Sequence, residues 1–220
     1  GHGDRARVIP LGVDVGERPP RRQSARTGGP LRLLFLSRLH AKKNVPLLLR
    51  SMALAAARSP RPVELTIAGD GEPTYGAELR SLAERLGVSG RVRFVGHVDG
   101  DAKRRLLEGA DCFVLPSAHE NFGLAVAEAM AAALPVIVTP GVALSREVER
   151  AGAGLVTDAS DDALASAIVW AAEQRLVLPE MGDRAWQLAR QSLSWDATCT
   201  RLARLYDELA GMPRHEGRRA

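Results

Sequence analysis

The sequence predicts an α/β domain, a doubly wound parallel sheet of about six strands with helices on both faces. Three observations lead there. From Leu31 onward, short apolar runs of buried-strand length alternate with longer segments of helical period. The loops behind the apolar runs carry the glycines and most of the polar chemistry, as loops at the carboxyl edge of such a sheet do. Aromatic residues make up only 4% of the 220 residues, while alanine, leucine and valine abound, which suits helices packed on a sheet. Strict strand–helix alternation requires crossover connections and therefore parallel strands.

Each element follows in order. Residues 1–30 hold VIPLGVD and then ERPPRRQSARTGGP, a breaker-rich stretch that reads as a linker and an irregular surface loop. LRLLFLS (31–37) is a buried strand, and VPLLLRSMALAAAR (45–58) a helix with Pro46 in its first turn. VELTIAG (63–69) is the second strand, and TYGAELRSLAERLG (74–87) a helix closed by Gly87. VRFVG (92–96) is the third strand, followed by the short helix DAKRRLLEGA (101–110). CFVLP (112–116) is the fourth, and FGLAVAEAMAAAL (122–134) its helix. PVIVT (135–139), helical LSREVERAG (144–152) and GLVT (154–157) complete the sheet. Three further helices are expected at 161–175, 179–192 and 194–210. The domain thus spans 31–209, with a disordered tail over 210–220.

Composition narrows the function. With 45% hydrophobic and 25% charged residues, the chain suits one globular domain with a real core. No apolar run approaches the ~20 residues that span a bilayer. Cys112 and Cys199 give neither a disulfide framework nor a metal spacing, and Cys112 reads as a small core residue. The net charge of +4 raises nucleic-acid binding, but the arginines are scattered and no basic run is interleaved with stacking aromatics. The only lysines are Lys42, Lys43 and Lys103. Where arginine is otherwise preferred, a compact point charge suits a phosphate.

The run ENFGLAVAE, bracketed by Glu120 and Glu128, is the most informative feature. It follows a strand and opens an otherwise apolar helix, where a carboxylate is costly without a partner. The helix entry at Asn121 and Gly123 offers free backbone N–H groups, a ready anion site. Eight residues is a little over two helical turns, which lets both acids face one cleft. The plainer reading is a helix cap with a buried, satisfied glutamate.

This run resembles the E-x7-E signature of retaining nucleotide-sugar glycosyltransferases of the GT-B fold, the glycosyl transferases group 1 family. Four other stretches resemble the family in its order: the linker RVIPLGVD, the first strand and phosphate loop LFLSRLHAKKN, the second strand and glycine loop LTIAGDGE, and the base-framing VRFVGHVDGDAK. The resemblance runs from about Val8 to Tyr206 and implies a Rossmann-like donor-binding domain, the C-terminal half of the GT-B fold.

The resemblance also implies roles. Arg38 and Lys43, with Lys42 a weaker candidate, contact the donor pyrophosphate and stabilise charge on the leaving phosphate. The backbone amides of Phe122, Gly123 and Leu124, with Asn121 beside them, meet the phosphates. Glu120 hydrogen-bonds hydroxyls of the donor sugar as a positioning group, and Glu128 grips the ribose hydroxyls. Backbone groups around Val98 read the base, and Asp99 and Lys103 match positions that touch the nucleotide in some relatives. Gly69 and Gly71 permit close backbone approach or are simple turn glycines. Ser117 is a lesser candidate and His119 a loop histidine. No DxD-like metal site is evident, so the expectation is no cofactor and no required metal.

Three positions depart from the family: Leu11 stands where asparagine is usual, Ala133 where a glycine ends the helix, and no glycine pair precedes Glu147. The linker motif normally joins two halves and here lies at the N-terminus. The expectation is therefore a donor half that lacks its acceptor-binding N-terminal domain and is inactive alone. The intact enzyme would move a hexose from a nucleoside diphosphate sugar to an acceptor hydroxyl, on an acceptor sugar or a lipid- or polyprenyl-linked glycan. A bacterial protein of carbohydrate biosynthesis, cytoplasmic or peripheral at the inner face of the membrane, fits that work. A nucleotide-sugar 2-epimerase on the same fold and a non-catalytic nucleotide-binding module are the alternatives.

Overall fold

The computed structural model describes residues 7–17 and 29–211. Six parallel strands form one sheet: β1 Leu31–Leu36, β2 Val63–Ala68, β3 Val92–Gly96, β4 Cys112–Leu115, β5 Val136–Val138 and β6 Gly154–Val156. Their spatial order is β3-β2-β1-β4-β5-β6. Chain order reverses between β1 and β4, so the loops after these two strands flank the switch point, where doubly wound sheets bind ligands.

Helices cover both faces: α1 Val45–Arg58, α2 Pro73–Arg85, α3 Gly100–Gly109, α4 Leu124–Ala131, α5 Ser145–Ala151, α6 Asp161–Glu173, α7 Leu178–Leu188 and α8 Trp195–Gly211. Because both faces are covered, β1 buries Leu33, Leu34 and Phe35 in succession instead of alternating. Each such side chain contributes about 2 kcal/mol of burial. α1 packs on α6, and the contact is fixed by polar groups: Arg50 Nε donates to both Asp161 oxygens at 3.0 and 2.8 Å, and Ser51 Oγ donates to the Asp161 carbonyl at 3.0 Å.

At the amino end of the strands an ion network centred on the buried Asp111 ties the layers. Asp111 accepts from Arg32 Nη2 at 2.9 Å and from Arg175 Nη2 at 3.1 Å. The Arg32 guanidinium is held above its ordinary pKa by this hydrogen bond. Next to it, burial pushes the Cys112 thiol well up, which leaves it a core group and not a nucleophile.

The segment before β1 is laid onto the α7–α8 junction. Val13 N–H donates to the Leu193 carbonyl at 2.8 Å, and Thr198 Oγ1 to the Pro10 carbonyl at 3.1 Å. Gly12 has no room for a side chain, since a Cβ there would lie 2.4 Å from the Trp195 ring. Residues 1–6, 18–28 and 212–220 lie outside the described residues, and with them most of the expected surface loop and tail; Ala210 and Gly211 extend α8.

Two helices differ from expectation. α4 stops at Ala131, three residues early, in a Schellman-type turn: Ala133 N–H donates to the Met130 carbonyl at 2.9 Å and Leu134 N–H to the Ala129 carbonyl at 3.0 Å. Ala133 occupies the left-handed position, φ 53°, that glycine normally fills. The helix expected over 179–192 is α7 followed by a π-helical turn, Ala189–Leu193, and this turn supplies the Leu193 carbonyl that anchors Val13. On α8, Tyr206 and Leu209 are exposed.

Candidate functional site

The β1 and β4 loops are bolted to each other at the switch point. After β1, Ala41–Lys43 form one 3-10 turn, capped by His40, whose Nδ1 accepts from Lys42 N–H at 3.1 Å. Asn44 closes the turn in the left-handed region, φ 54°, and leads into α1. After β4, the buried Ser117 donates its hydroxyl to the Lys42 carbonyl at 2.9 Å, and Ala118 N–H donates to the same oxygen at 2.9 Å. Ser117 therefore ties the loops together instead of presenting a free hydroxyl. Thr139 Oγ1 donates to the Ser117 carbonyl at 2.7 Å, which brings in the β5 loop.

Glu120 and Lys43 meet on this platform as an ion pair, Lys43 Nζ against Glu120 Oε2. Glu120 is held at its backbone: its N–H donates to the Gly141 carbonyl at 2.9 Å and its carbonyl accepts from Ala143 at 3.1 Å. Gly141 is required there, because a Cβ would lie 2.2 Å from the Ala118 carbonyl oxygen. Arg38 is exposed and has no ion-pair partner among the described residues. Asn121 and His119 are exposed, and Phe122 is half-buried against the core.

Gly123, φ 91°, turns the chain into α4. The first amides of the helix, from Leu124 on, have no acceptor within it, and they lie beside the Lys43–Glu120 platform. α4 begins only at Leu124. This corrects the spacing argument, since only the second acid rides on the helix and Glu120 precedes it in a bridge to Val142. Glu128, one turn in, accepts from Lys103 Nζ of α3 at 2.8 Å.

Glu128, Lys103 and Leu124 line a cavity of about 540 Å³ whose far wall is the linker from Gly12 to Glu17 together with Trp195. Glu120 is not among its lining residues. Sequence reasoning treated the linker as a connector and missed this wall; the tight Gly12 was its one legible sign. Val98 is half-buried against the core. Asp99 precedes α3, and its carbonyl accepts from Lys103 N–H at 3.1 Å.

Gly69 and Gly71 do allow close backbone approach, but to the chain itself. A Cβ at Gly69, φ 133°, would lie 1.9 Å from the Ser37 carbonyl oxygen, and one at Gly71 2.1 Å from that of Leu39. The two glycines thus press the β2 loop onto the β1 loop. A separate groove of about 600 Å³ opens at the opposite, amino end of the strands, lined by Arg32, Arg91, Arg93 and Arg105. Among the described residues, no three His, Cys, Asp or Glu side chains converge as a metal site, and no helix is long and apolar enough to cross a membrane.

Comparison with known proteins adds to this geometry. The profile of the family described as Glycosyl transferases group 1 matches residues 17–189. The chain is 33% identical over 222 residues to D-inositol 3-phosphate glycosyltransferase of Corynebacterium jeikeium, across 92% of this chain and 52% of that protein. It is 35% identical over 206 residues to glycogen synthase of Mycobacterium tuberculosis, across 90% of this chain and 47% of that protein. The chain thus spans about half the length of these curated relatives. Among solved structures, sucrose-phosphate synthase from Thermosynechococcus elongatus matches with a TM-score of 0.78 at 26% identity, over 93% of this chain and 52% of that one. Anabaena HepE in complex with UDP and glucose matches with a TM-score of 0.79 at 23% identity, over 96% of this chain and 59% of that one. At that identity the second likeness speaks for the fold alone.

Proposed function

The chain belongs to the glycosyl transferases group 1 family, and from that premise we propose that it is the donor-binding half of a retaining hexosyltransferase. The donor is a nucleoside diphosphate hexose, and the acceptor a hydroxyl on a sugar or on a lipid- or polyprenyl-linked glycan. The observation that carries this reading is the switch-point platform. There Lys43 of the β1 loop pairs with Glu120 of the β4 loop just ahead of the open amide end of α4, Glu128 lines a cavity from that helix, and Arg38 is exposed on the same β1 loop.

The diphosphate lies between Arg38, Lys43 and the amides of Phe122, Gly123 and Leu124, where helix dipole and fixed cations favour an anion. Asn121 lies beside them. Glu120 accepts from sugar hydroxyls. Glu128 accepts from the ribose hydroxyls in the cavity it lines, and the base extends toward Val98 and α3. In the transfer step the bond from C1 to the leaving phosphate oxygen breaks, the acceptor oxygen bonds C1 on the same face, and its proton passes to the phosphate. Negative charge grows on that phosphate, and Arg38 and Lys43 stabilise it more in the transition state than in the ground state. With the cations supplied by side chains, the donor needs no metal. An N-terminal acceptor-binding domain completes the cleft, in the cytoplasm or at the inner face of the membrane.

The test is transfer by the full-length protein, from a panel of nucleotide sugars to acceptor hydroxyls, with the product's anomeric configuration read by proton NMR. The expected product keeps the donor's configuration, and Arg38→Ala lowers turnover by ~10²–10³-fold, the usual worth of a fixed donor at developing charge. An inverted product overturns the retaining mechanism, and an undiminished Arg38→Ala enzyme overturns the phosphate-loop assignment.

A further inference from the structure

We propose that Glu120 competes with the donor's diphosphate for Lys43, and so makes the site prefer the intact sugar donor to the bare nucleoside diphosphate. The proposal rests on the donor-site reading above and extends it to product release.

The two side chains of the pair are 17% and 19% exposed, so each charge is largely withdrawn from water and depends on the other. Glu120 is fixed by backbone bonds on both sides, to Gly141 and Ala143, and its carboxylate sits on the shorter of the two stems. Lys43 is anchored only at its backbone, by a 2.9 Å bond from its N–H to the His40 carbonyl. Its ammonium rides on a four-carbon stem and is the member that can move. Among the described residues, no other cation pairs with Glu120 and no other acid pairs with Lys43.

A bare diphosphate that draws Lys43 away leaves the Glu120 carboxylate largely buried, beside a new anion and without a donor. Both the lost hydrogen bond and the like-charge proximity oppose binding. An intact donor brings hydroxyls that donate to the same carboxylate and make good that loss. Glu120 therefore penalises the product more than the substrate. After transfer the sugar hydroxyls leave, Glu120 is again without a donor and pulls on Lys43, and the hold on the diphosphate weakens. Arg38, exposed and without an ion-pair partner among the described residues, carries no such bias and serves both ligands alike.

The test measures affinities of UDP, GDP and ADP, and of their glucose esters, for the full-length protein and for Glu120→Gln, Lys43→Met and Arg38→Ala. In Glu120→Gln the bare diphosphate is expected to bind about three- to tenfold tighter and the glucose ester weaker, a size set by one screened charge contact. In Arg38→Ala both ligands are expected to weaken by a similar factor. Equal or weaker binding of the bare diphosphate to Glu120→Gln overturns the competition. No binding of any diphosphate to the unaltered protein, or unchanged binding in both Arg38→Ala and Lys43→Met, overturns the donor-site reading instead. Should Glu120→Gln fail to fold, ε-¹³C-lysine NMR of the unaltered protein answers the same question, since this chain contributes only three lysines. The Lys43 signal should move on saturation with the bare diphosphate, and a bound diphosphate with Lys43 unmoved overturns the proposal.

Discussion

Lys103 Nζ lies 2.8 Å from Glu128 Oε1 and joins α3 to α4 across the rim of the 540 Å³ cavity. With Lys43 on Glu120, each acid of the E-x7-E run holds one of the chain's three lysines. A carboxylate satisfied by one ammonium still has lone pairs for two ribose hydroxyls, so this pair can persist while nucleotide binds. We expect Glu128→Gln to weaken nucleoside diphosphate binding about ten- to hundred-fold, the loss of one charged hydrogen bond. Lys103→Met should weaken it less. Both side chains of the pair are about a quarter or more exposed, so Lys103→Met should change stability by less than about 1 kcal/mol. Titration calorimetry and thermal melts of the two variants check this; unchanged nucleotide affinity in Glu128→Gln would remove the ribose role.

Ala133 sits at φ 53° where the turn after α4 calls for glycine. A Cβ in that conformation costs about 1–2 kcal/mol, and glycine's added unfolded-state entropy returns about 0.5–1 kcal/mol of this. Ala133→Gly is expected to stabilise the fold by up to about 1 kcal/mol in urea denaturation. A loss of stability would show that the methyl group contributes packing that outweighs its backbone strain.

Asp111 is buried between two arginines, and Arg175 beside it is almost as buried. Asp111→Ala leaves that guanidinium without its counter-charge, and breaking a buried pair in this way costs about 3–5 kcal/mol. The same denaturation measurement should find a loss of this size. The network lies at the amino end of the strands, far along the sheet from the switch-point loops, so ligand binding by the folded fraction should be unchanged.

The two cysteines should separate cleanly. Cys199 is exposed and Cys112 buried. A disulfide reagent at mild alkaline pH should titrate one thiol in the native chain and two after denaturation. Two fast thiols in the native state would mean that β4 is not the central strand described.

Much of the fold was legible because its signals are local. The run 45–58 forms a helix over those same residues, since apolar period, Pro46 and the following strand all agree. Gly87 takes the left-handed conformation, φ 69°, expected of a helix-closing glycine. The early end of α4 was signalled by the departure at Ala133, but alanine gives no sign that it is left-handed. The site was legible as a set of loops and not as a set of contacts. Which lysine meets which glutamate depends on how β1, β4 and α3 are brought together, and those partners lie 77 and 25 residues apart in the chain. Gly69 illustrates the same limit, since its partner is the Ser37 carbonyl, which no local pattern reveals.

The most direct measurement is a crystal structure of the full-length protein grown, with metal chelated, in the presence of the nucleoside diphosphate that binds most tightly. The account predicts the diphosphate between Arg38 and the first amides of α4, with Lys43 turned toward it and the ribose hydroxyls within hydrogen-bond distance of Glu128. A nucleotide seated elsewhere, such as the arginine-lined groove at the amino end of the strands, or one whose ribose lies out of reach of Glu128, would contradict it.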